Sequence, residues 1–441
     1  MKLPVKFIEQ MKHQLGESYE DFFKSYNNKT HRGIRVNTLK ISVEEFLKIS
    51  PFNLKPIPWT NDGFYIDDIR PAKHPHYFAG LYYIQEPSAM LPAVLLNPNE
   101  GDIALDLCAA PGGKTMQMAA MMNDSGVLIA NDINNHRLKA LIRNAELMGL
   151  RNLVVLNERQ EKIKETLYGR VNKLLIDAPC SGEGMFKKHD DAINAYEDYD
   201  VEACVSMQKS ILDDILEVLN GEGEVVYSTC TFNTFENEEM IRYAMSKKSL
   251  QLVDIAKKYG FEPGVDMHEV VRLYPHLLDG EGHFAAKLKL SDQKHDYRFE
   301  DISSQPPELL KSFMDENMIK PIEGLFKVVK DKVFLLPSKR IDLTGVKVVK
   351  NGWFLGLLKK NRFEPSHAMA LALKKEDFKQ TINFASDSLE VTKYLKCETV
   401  ACDGEKGYNL ICVDGYPIGW GKWSSGKLKN LYPSQWRLSW G

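Results

Sequence analysis

No two cysteines in this sequence are spaced as Cys-x-x-Cys, and its seven cysteines stand at irregular intervals. That pattern fits neither a disulfide framework nor a zinc site, so free thiols in a reducing compartment, and no bound metal, are expected. A run of about 18 apolar residues, the length a membrane helix requires, is also missing. So is the N-terminal succession of basic, apolar and small residues that marks a secretory signal. A cytoplasmic protein without a membrane partner is expected. A basic surplus is lacking too: with a net charge of -3 and a pI near 6.4, any nucleic-acid surface must be local.

What is present is length and pattern. A chain of 441 residues, 44% of them hydrophobic, exceeds what one core supports at about 100–200 residues per domain. The opening, Val5 to Gln14, reads as an amphipathic helix, and Ile34–Asn37 and Phe64–Ile66 read as short strands. A small α+β domain is expected over residues 1–98. From 99 to 290 short apolar runs alternate with helical stretches. Ile103–Leu107, Val127–Ala130, Leu153–Leu156, Leu174–Ile176 and Val225–Tyr227 are the expected buried strands. His136–Met148 and Ser210–Leu219, the latter with Leu212, Ile215, Leu216 and Leu219 on one face, are the expected helices. Alternation of this kind predicts a doubly wound, mostly parallel sheet, with ligands at the carboxyl ends of its strands.

Residues 291–306 are polar and end in Pro-Pro, as a linker does. Between Lys320 and Arg362, nine Lys and two Arg face three acids, a local excess of +8. Strands with one basic face are expected within a domain spanning 307–375. The final segment, 376–441, holds four of the six tryptophans, Trp436 and Trp440 among them, interleaved with Lys422, Lys427, Lys429 and Arg437. Two readings stand there: the rings stack RNA bases, or they fill a small core.

The chemistry concentrates at three strand ends. The first strand runs into Asp106-Leu-Cys-Ala-Ala-Pro-Gly-Gly-Lys-Thr115. A P-loop would need glycine where Cys108 stands, and the dinucleotide fingerprint does not fit the spacing. A nucleoside-sulfonium cofactor, S-adenosylmethionine, needs no phosphate cradle. Asp132, ending the second strand, either holds ribose hydroxyls or caps the next helix. Two later strands each end in a cysteine, in Asp177-Ala-Pro-Cys-Ser-Gly182 and Ser228-Thr-Cys-Thr231. One such cysteine packs as a small hydrophobe in most proteins. Two make that explanation less comfortable.

These three motifs, in this order, resemble the Nol/Nop/Sun family of RNA cytosine-5 methyltransferases. Ile34–Lys40, Tyr83–Ala89, Arg272–His276 and Gly282–Leu288 resemble its flanking motifs. The tail, Tyr416–Lys422 and Lys427–Pro433, resembles the PUA-like domain of the RsmF-type ribosomal members. The resemblance implies a seven-stranded Rossmann-like α/β methyltransferase sheet, an N-terminal α+β domain and small C-terminal β-rich domains. It also implies methylation of carbon 5 of cytosine in small-subunit (16S) ribosomal RNA, with ribosomal RNA or the small subunit as partner of a monomer. Transfer RNA as substrate, or a non-catalytic assembly factor, are the alternatives.

Carbon 5 of cytosine is a weak nucleophile until a thiolate adds at carbon 6. The resemblance assigns that attack to Cys230 and product release to Cys180; Asp177 would meet the N3 and amino edge of the base, and Lys114 would hold that carboxylate or the substrate. A DNA enzyme of the related kind needs only the Pro-Cys thiol, so the second cysteine favours RNA. Cofactor contacts carried over are Cys108, Ala109, Ala110, Pro111, Gly112, Gly113, Lys114, Asp132, Arg137, Asp177 and, on the adenine side, Glu158. Asn233 and Glu236 read as a capping box, which would set a helix N-terminus one turn beyond Cys230. Cys204, Cys397, Cys402 and Cys412 read as packing residues, and His276 and His283 as satisfied structural histidines.

Overall fold

The computed structural model describes residues 3–28, 31–67, 70–187, Ile193, Tyr196, 201–291, 303–339 and 341–438. Trp440, Arg340 and most of the 291–306 segment lie outside the described residues.

Five strands form the parallel centre of a ten-stranded sheet: Ile103–Asp106, Val127–Asn131, Leu153–Leu156, Val171–Asp177 and Leu219–Thr229. The first three are buried along their whole length, which is why they read as unbroken apolar runs rather than alternating ones. Across the sheet the fifth strand is followed by the fourth, first, second and third, so the order reverses between Ile103–Asp106 and Val171–Asp177. Loops at the carboxyl ends of two such strands diverge and leave a crevice. The turn after Asp106 and the Pro-Cys segment after Asp177 both lie there.

Antiparallel strands widen this sheet. His283–Leu290 pairs with Leu219–Thr229 on one side. On the other, Val348–Asn351 arrives from the basic segment to pair with Leu153–Leu156. Lys350, on that added strand, is buried 3.7 Å from Glu146, so this lysine ties segments together and does not belong to a basic face. The helix over Asn135–Met148 starts where Asn134 Oδ1 accepts from the amides of His136 and Arg137, and it stops at Gly149, φ 78°. The second expected helix runs from Val201 to Ile215, earlier than its periodicity indicated, and Leu219 opens the next strand.

A four-stranded antiparallel sheet, including Arg32–Val36 and Gly63–Ile66, precedes this unit. Two small sheets follow it, four strands within Phe326–Pro365 and five within Thr381–Asn430. One hydrophobic core joins the N-terminal sheet (Ile34, Val36), the Asn135–Met148 helix (Leu138, Leu141) and the last sheet (Ile411, Ile418). His76 Nε2 meets Asp414 Oδ2 at 2.8 Å across the same junction.

The described tryptophans of the last segment pack into hydrophobic cores. Trp420 and Trp436 are buried. The indole of Trp420 donates to Ser366 O at 2.8 Å and that of Trp423 to Cys402 O at 2.8 Å. Core filling is therefore the reading the structure supports for these three rings, and base stacking is not.

Candidate active site

Strands Val171–Asp177 and Leu219–Thr229 are parallel neighbours with Asp177 opposite Ser228. Their chains leave the sheet side by side, and each places a cysteine a few residues on. The two sulfurs, Sγ of Cys180 and Sγ of Cys230, lie 3.4 Å apart. Both cysteines are half-buried and neither is in a disulfide. The hydrogen bond between them, and then burial, push the Cys180 thiol up. Cys180 is thus held un-ionised at neutral pH and can donate its S–H to Cys230.

Asp177 stands beside the thiols with its carboxylate gripped on both oxygens. Lys114 Nζ donates to Oδ2 at 2.7 Å and Ser228 Oγ to Oδ1 at 2.8 Å. Burial alone would raise this carboxyl, but the Lys114 ammonium and His283 outweigh it and hold the group well below the usual carboxylate range. Burial likewise lowers Lys114, yet Asp177 leaves its net shift upward. The result is a fixed ion pair with Asp177 30% exposed, so acceptor capacity remains on the open side.

His283 corrects the sequence reading. It is 3% exposed, its Nε2 has no hydrogen-bond partner, and that nitrogen sits 3.7 Å from Asp177 Oδ1. A buried imidazole whose nearest charged neighbour is the site's carboxylate belongs to the site rather than to the scaffold. His276 Nδ1 is likewise buried without a partner, against the rings of Phe22 and Tyr274.

The cofactor side is built on the turn after Asp106. Gly112 opens the helix Gly113–Met121 at φ 111°, where a side chain's Cβ would lie 2.7 Å from Met116 Cε and 2.8 Å from Leu141 Cδ1, so only glycine fits. Asp132, buried, accepts from the Asn134 amide at 2.8 Å and the Ala110 amide at 3.3 Å. It pairs with Arg137 at 3.3 Å, and Arg137 also donates to the Ala110 carbonyl. Asp132 therefore fastens the turn, and the cap of the following helix is Asn134 rather than Asp132.

Glu158 turns its Oε1 toward the Lys347 amide at 2.7 Å, while its backbone joins the side chain of Asn131. Asn131, which sequence reasoning passed over, bridges Leu107 O and Glu158 O. A polar residue ending a wholly buried strand was the signal for it.

Whether the residues fit a cationic cofactor is tested by Asp106. Its Oδ2 accepts from Thr115 Oγ1 at 2.6 Å, but Oδ1 is buried with no partner. Burial pushes this carboxyl up to about 7. A buried acceptor without a donor, on the floor of a glycine turn, suits a ligand bearing positive charge. The donor set fits S-adenosylmethionine, with its sulfonium and amino groups.

The capping box is not formed. Asn233 Oδ1 does accept from the Glu236 amide at 2.9 Å, but the helix begins at Glu238, with Asn237 at its cap. Cys230 therefore stands eight residues before the first helical residue, not one turn before it. Among the described residues no cluster of His, Cys, Asp or Glu could hold a metal ion, and no helix is long and apolar enough to cross a membrane.

A doubly wound sheet with a phosphate-free glycine turn at its switch point, facing a pair of thiols, defines the Rossmann-like methyltransferase class. Comparison with known proteins sharpens this. Residues 93–289 match the family model of 16S rRNA methyltransferase RsmB/F, and residues 3–87 that of the N-terminal domain of 16S rRNA methyltransferase RsmF. Residues 312–373 match the RsmF first C-terminal domain and 381–438 the RsmF PUA domain. The chain is 30% identical to ribosomal RNA small subunit methyltransferase F of Vibrio vulnificus over 98% of its own length and 97% of the relative's. It is 32% identical to the protein of the same name from a Shewanella species over 94% and 93%. A solved methyltransferase homologue from Pyrococcus horikoshii superposes with a TM-score of 0.58 at 33% identity, covering 64% of this chain and 94% of that one. The chain belongs to the RsmF family of ribosomal RNA methyltransferases.

Proposed function

We propose that this protein methylates carbon 5 of cytosine in small-subunit ribosomal RNA, using S-adenosylmethionine and a covalent cysteine adduct. The observation that carries the reading is the juxtaposition of two thiols at 3.4 Å with a carboxylate pinned by Lys114 at 2.7 Å. In this reading the Cys230 thiolate adds to carbon 6, and the ring's electron pair is displaced toward carbon 5. Asp177, ionised, accepts from the exocyclic amino group and from an N3 that takes its proton from solvent, and so stabilises the protonated ring whose carbon 6 is electrophilic; the proton returns to solvent on release. S-adenosylmethionine supplies the electrophilic methyl group, and residues 108–114, Asp132, Arg137 and Glu158 would hold it. The carbon-5 proton then passes to solvent water, the electron pair of its C–H bond re-forms the ring double bond, and the Cys230 thiolate is expelled with the help of the Cys180 S–H, which donates to it.

Division into units at 1–98, 99–290, 307–375 and 376–441 is part of the same reading, supported by the four family-model ranges. So are a monomeric state, a cytoplasmic site of action and RNA contact by the exposed Lys327, Lys330 and Lys332. Bisulfite sequencing of ribosomal RNA from cells with and without the gene tests the activity. One or more cytosines of small-subunit RNA should lose protection when the gene is absent. Loss confined to transfer RNA would reassign the substrate, and no loss in any RNA would refute the activity.

A further inference from the structure

The loops carrying the two thiols are cross-braced by carboxylates that they exchange. Glu236, six residues after Cys230, is fully buried, and its Oε2 accepts from the amide of Ser181, the residue after Cys180, at 3.0 Å. Glu183, three residues after Cys180, is also fully buried, and its Oε2 accepts from the amides of Phe232 at 2.6 Å and Asn233 at 3.0 Å, just beyond Cys230. Each cysteine loop thus donates backbone amides to the other loop's acid. Ser181 Oγ and Thr231 Oγ1, on the residues that follow the two cysteines, meet at 2.7 Å. The Gly184 amide donates to the carbonyl of Cys230 itself at 2.8 Å.

The brace is anchored from outside. Gln208 Nε2 donates to Glu236 at 2.9 Å, and Gln10 Nε2, on the N-terminal helix Val5–Leu15, donates to Glu183 at 3.2 Å. Arg272, buried and paired with both oxygens of Glu238 at 2.7 and 2.6 Å, donates to the Phe232 carbonyl at 2.5 Å. Desolvating two carboxylates is costly unless hydrogen bonds fill their oxygens, and here they do. With no ion pair to either acid among the described residues, what these bonds accomplish is to join the two loops.

We propose that Glu183 and Glu236 are positioning residues that set the separation of the Cys180 and Cys230 sulfurs, the N-terminal helix sharing in the brace through Gln10. The inference deepens the functional reading above and rests on it for the chemistry, but the geometry can be read without turnover. Phenylarsine oxide condenses with two neighbouring thiols, forming two As–S bonds and releasing one water. Mass spectrometry of the full-length protein counts the bridged arsenical, with Cys180→Ala as blank.

Glu236→Gln turns an amide donor toward Asn233 Nδ2, which now donates to Glu236 Oε1 at 2.7 Å. Gly184→Ala disturbs the brace from the other side, because its Cβ would lie 2.9 Å from the Cys230 carbonyl oxygen. Glu224→Gln serves as a control. It weakens an ion-paired site on the same strand, between Lys173 at 2.6 Å and Lys287 at 3.1 Å, without touching either loop.

Both loop variants should lose arsenical bridging while S-adenosylmethionine affinity and the KM for RNA hold. Their kcat should fall on the order of tenfold to a hundredfold, as misplacement of reacting groups by about an ångström does. Glu224→Gln should lower the melting temperature and leave bridging intact. Unchanged bridging and kcat in both loop variants, or loss of bridging in the control as well, would overturn the proposal. Bridging that behaves as expected in a wild-type protein without methyltransferase activity would sink the functional reading and leave the brace standing.

Discussion

Replacing Lys114 by methionine keeps the length of the side chain and removes the charge that Asp177 depends on. The ammonium is 2.7 Å from the carboxylate, with the two side chains 12% and 30% exposed. Cutting one partner out of a fully buried pair costs about 3–5 kcal/mol. Water at the exposed edge of Asp177 recovers part of this, leaving about 2–3 kcal/mol. At roughly 2–4 °C per kcal/mol for a unit of about 200 residues, melting should fall by roughly 4–12 °C. The pH dependence distinguishes this cause from a general packing defect. In the native protein the Asp177 carboxyl is depressed, so its stabilising contribution is present above the unfolded value of about 3.9 and lost as pH falls through the folded value. In Lys114→Met burial becomes the dominant influence, the folded value climbs above the unfolded one, and the contribution is instead lost as pH rises. The melting-temperature gap between the two proteins should therefore already be open at pH 4 and widen further toward pH 7 as the variant's buried carboxyl is forced to ionise. Calorimetric scans across that range giving parallel curves would refute the assignment of Lys114 as counter-ion.

Asp132→Ala should weaken S-adenosylmethionine binding by about 1–3 kcal/mol, because the charged hydrogen bond that ties the Ala110 amide and Arg137 to the turn is removed. Titration calorimetry with unchanged affinity would remove Asp132 from the cofactor site. Reversing Lys327, Lys330 and Lys332 to glutamate should weaken RNA binding at low salt. It should also flatten the slope of log K against log salt by about 0.7–0.9 for each phosphate that the protein no longer neutralises. An unaltered slope in filter binding would show that this hairpin does not touch RNA.

Much of the site could be read in the sequence because its parts sit on short contiguous motifs. Buried parallel strands leave apolar runs, and four of the five here end at or one residue before a residue with chemistry: Asp106, Asp132, Asp177, Cys230. What could not be read arises from pairings between distant segments. Glu183 and Glu236 look like ordinary loop acids until two loops about fifty residues apart are placed side by side. His283 reads as an unremarkable strand residue, and only the antiparallel docking of its strand against Leu219–Thr229 aims it at Asp177. The expected capping box failed for the same reason. Asn233 and Glu236 have the right spacing, but Glu183 already accepts from the Asn233 amide, and Glu236 is committed to Ser181. Interleaved Trp and Lys likewise carry no information about which side faces a core. Nor could charge counting show that Lys350 would be paired with Glu146, on a helix far earlier in the chain.

The account turns on the two cysteines having different tasks. Denaturing gel electrophoresis after incubation with substrate RNA and S-adenosylmethionine tests it most directly. Cys180→Ala, still able to attack and to accept methyl transfer but slow to release, should give a slow-migrating protein–RNA band. Cys230→Ala should give neither band nor methylation. A covalent band from Cys230→Ala and none from Cys180→Ala would make Cys180 the nucleophile and contradict the proposed assignment of roles.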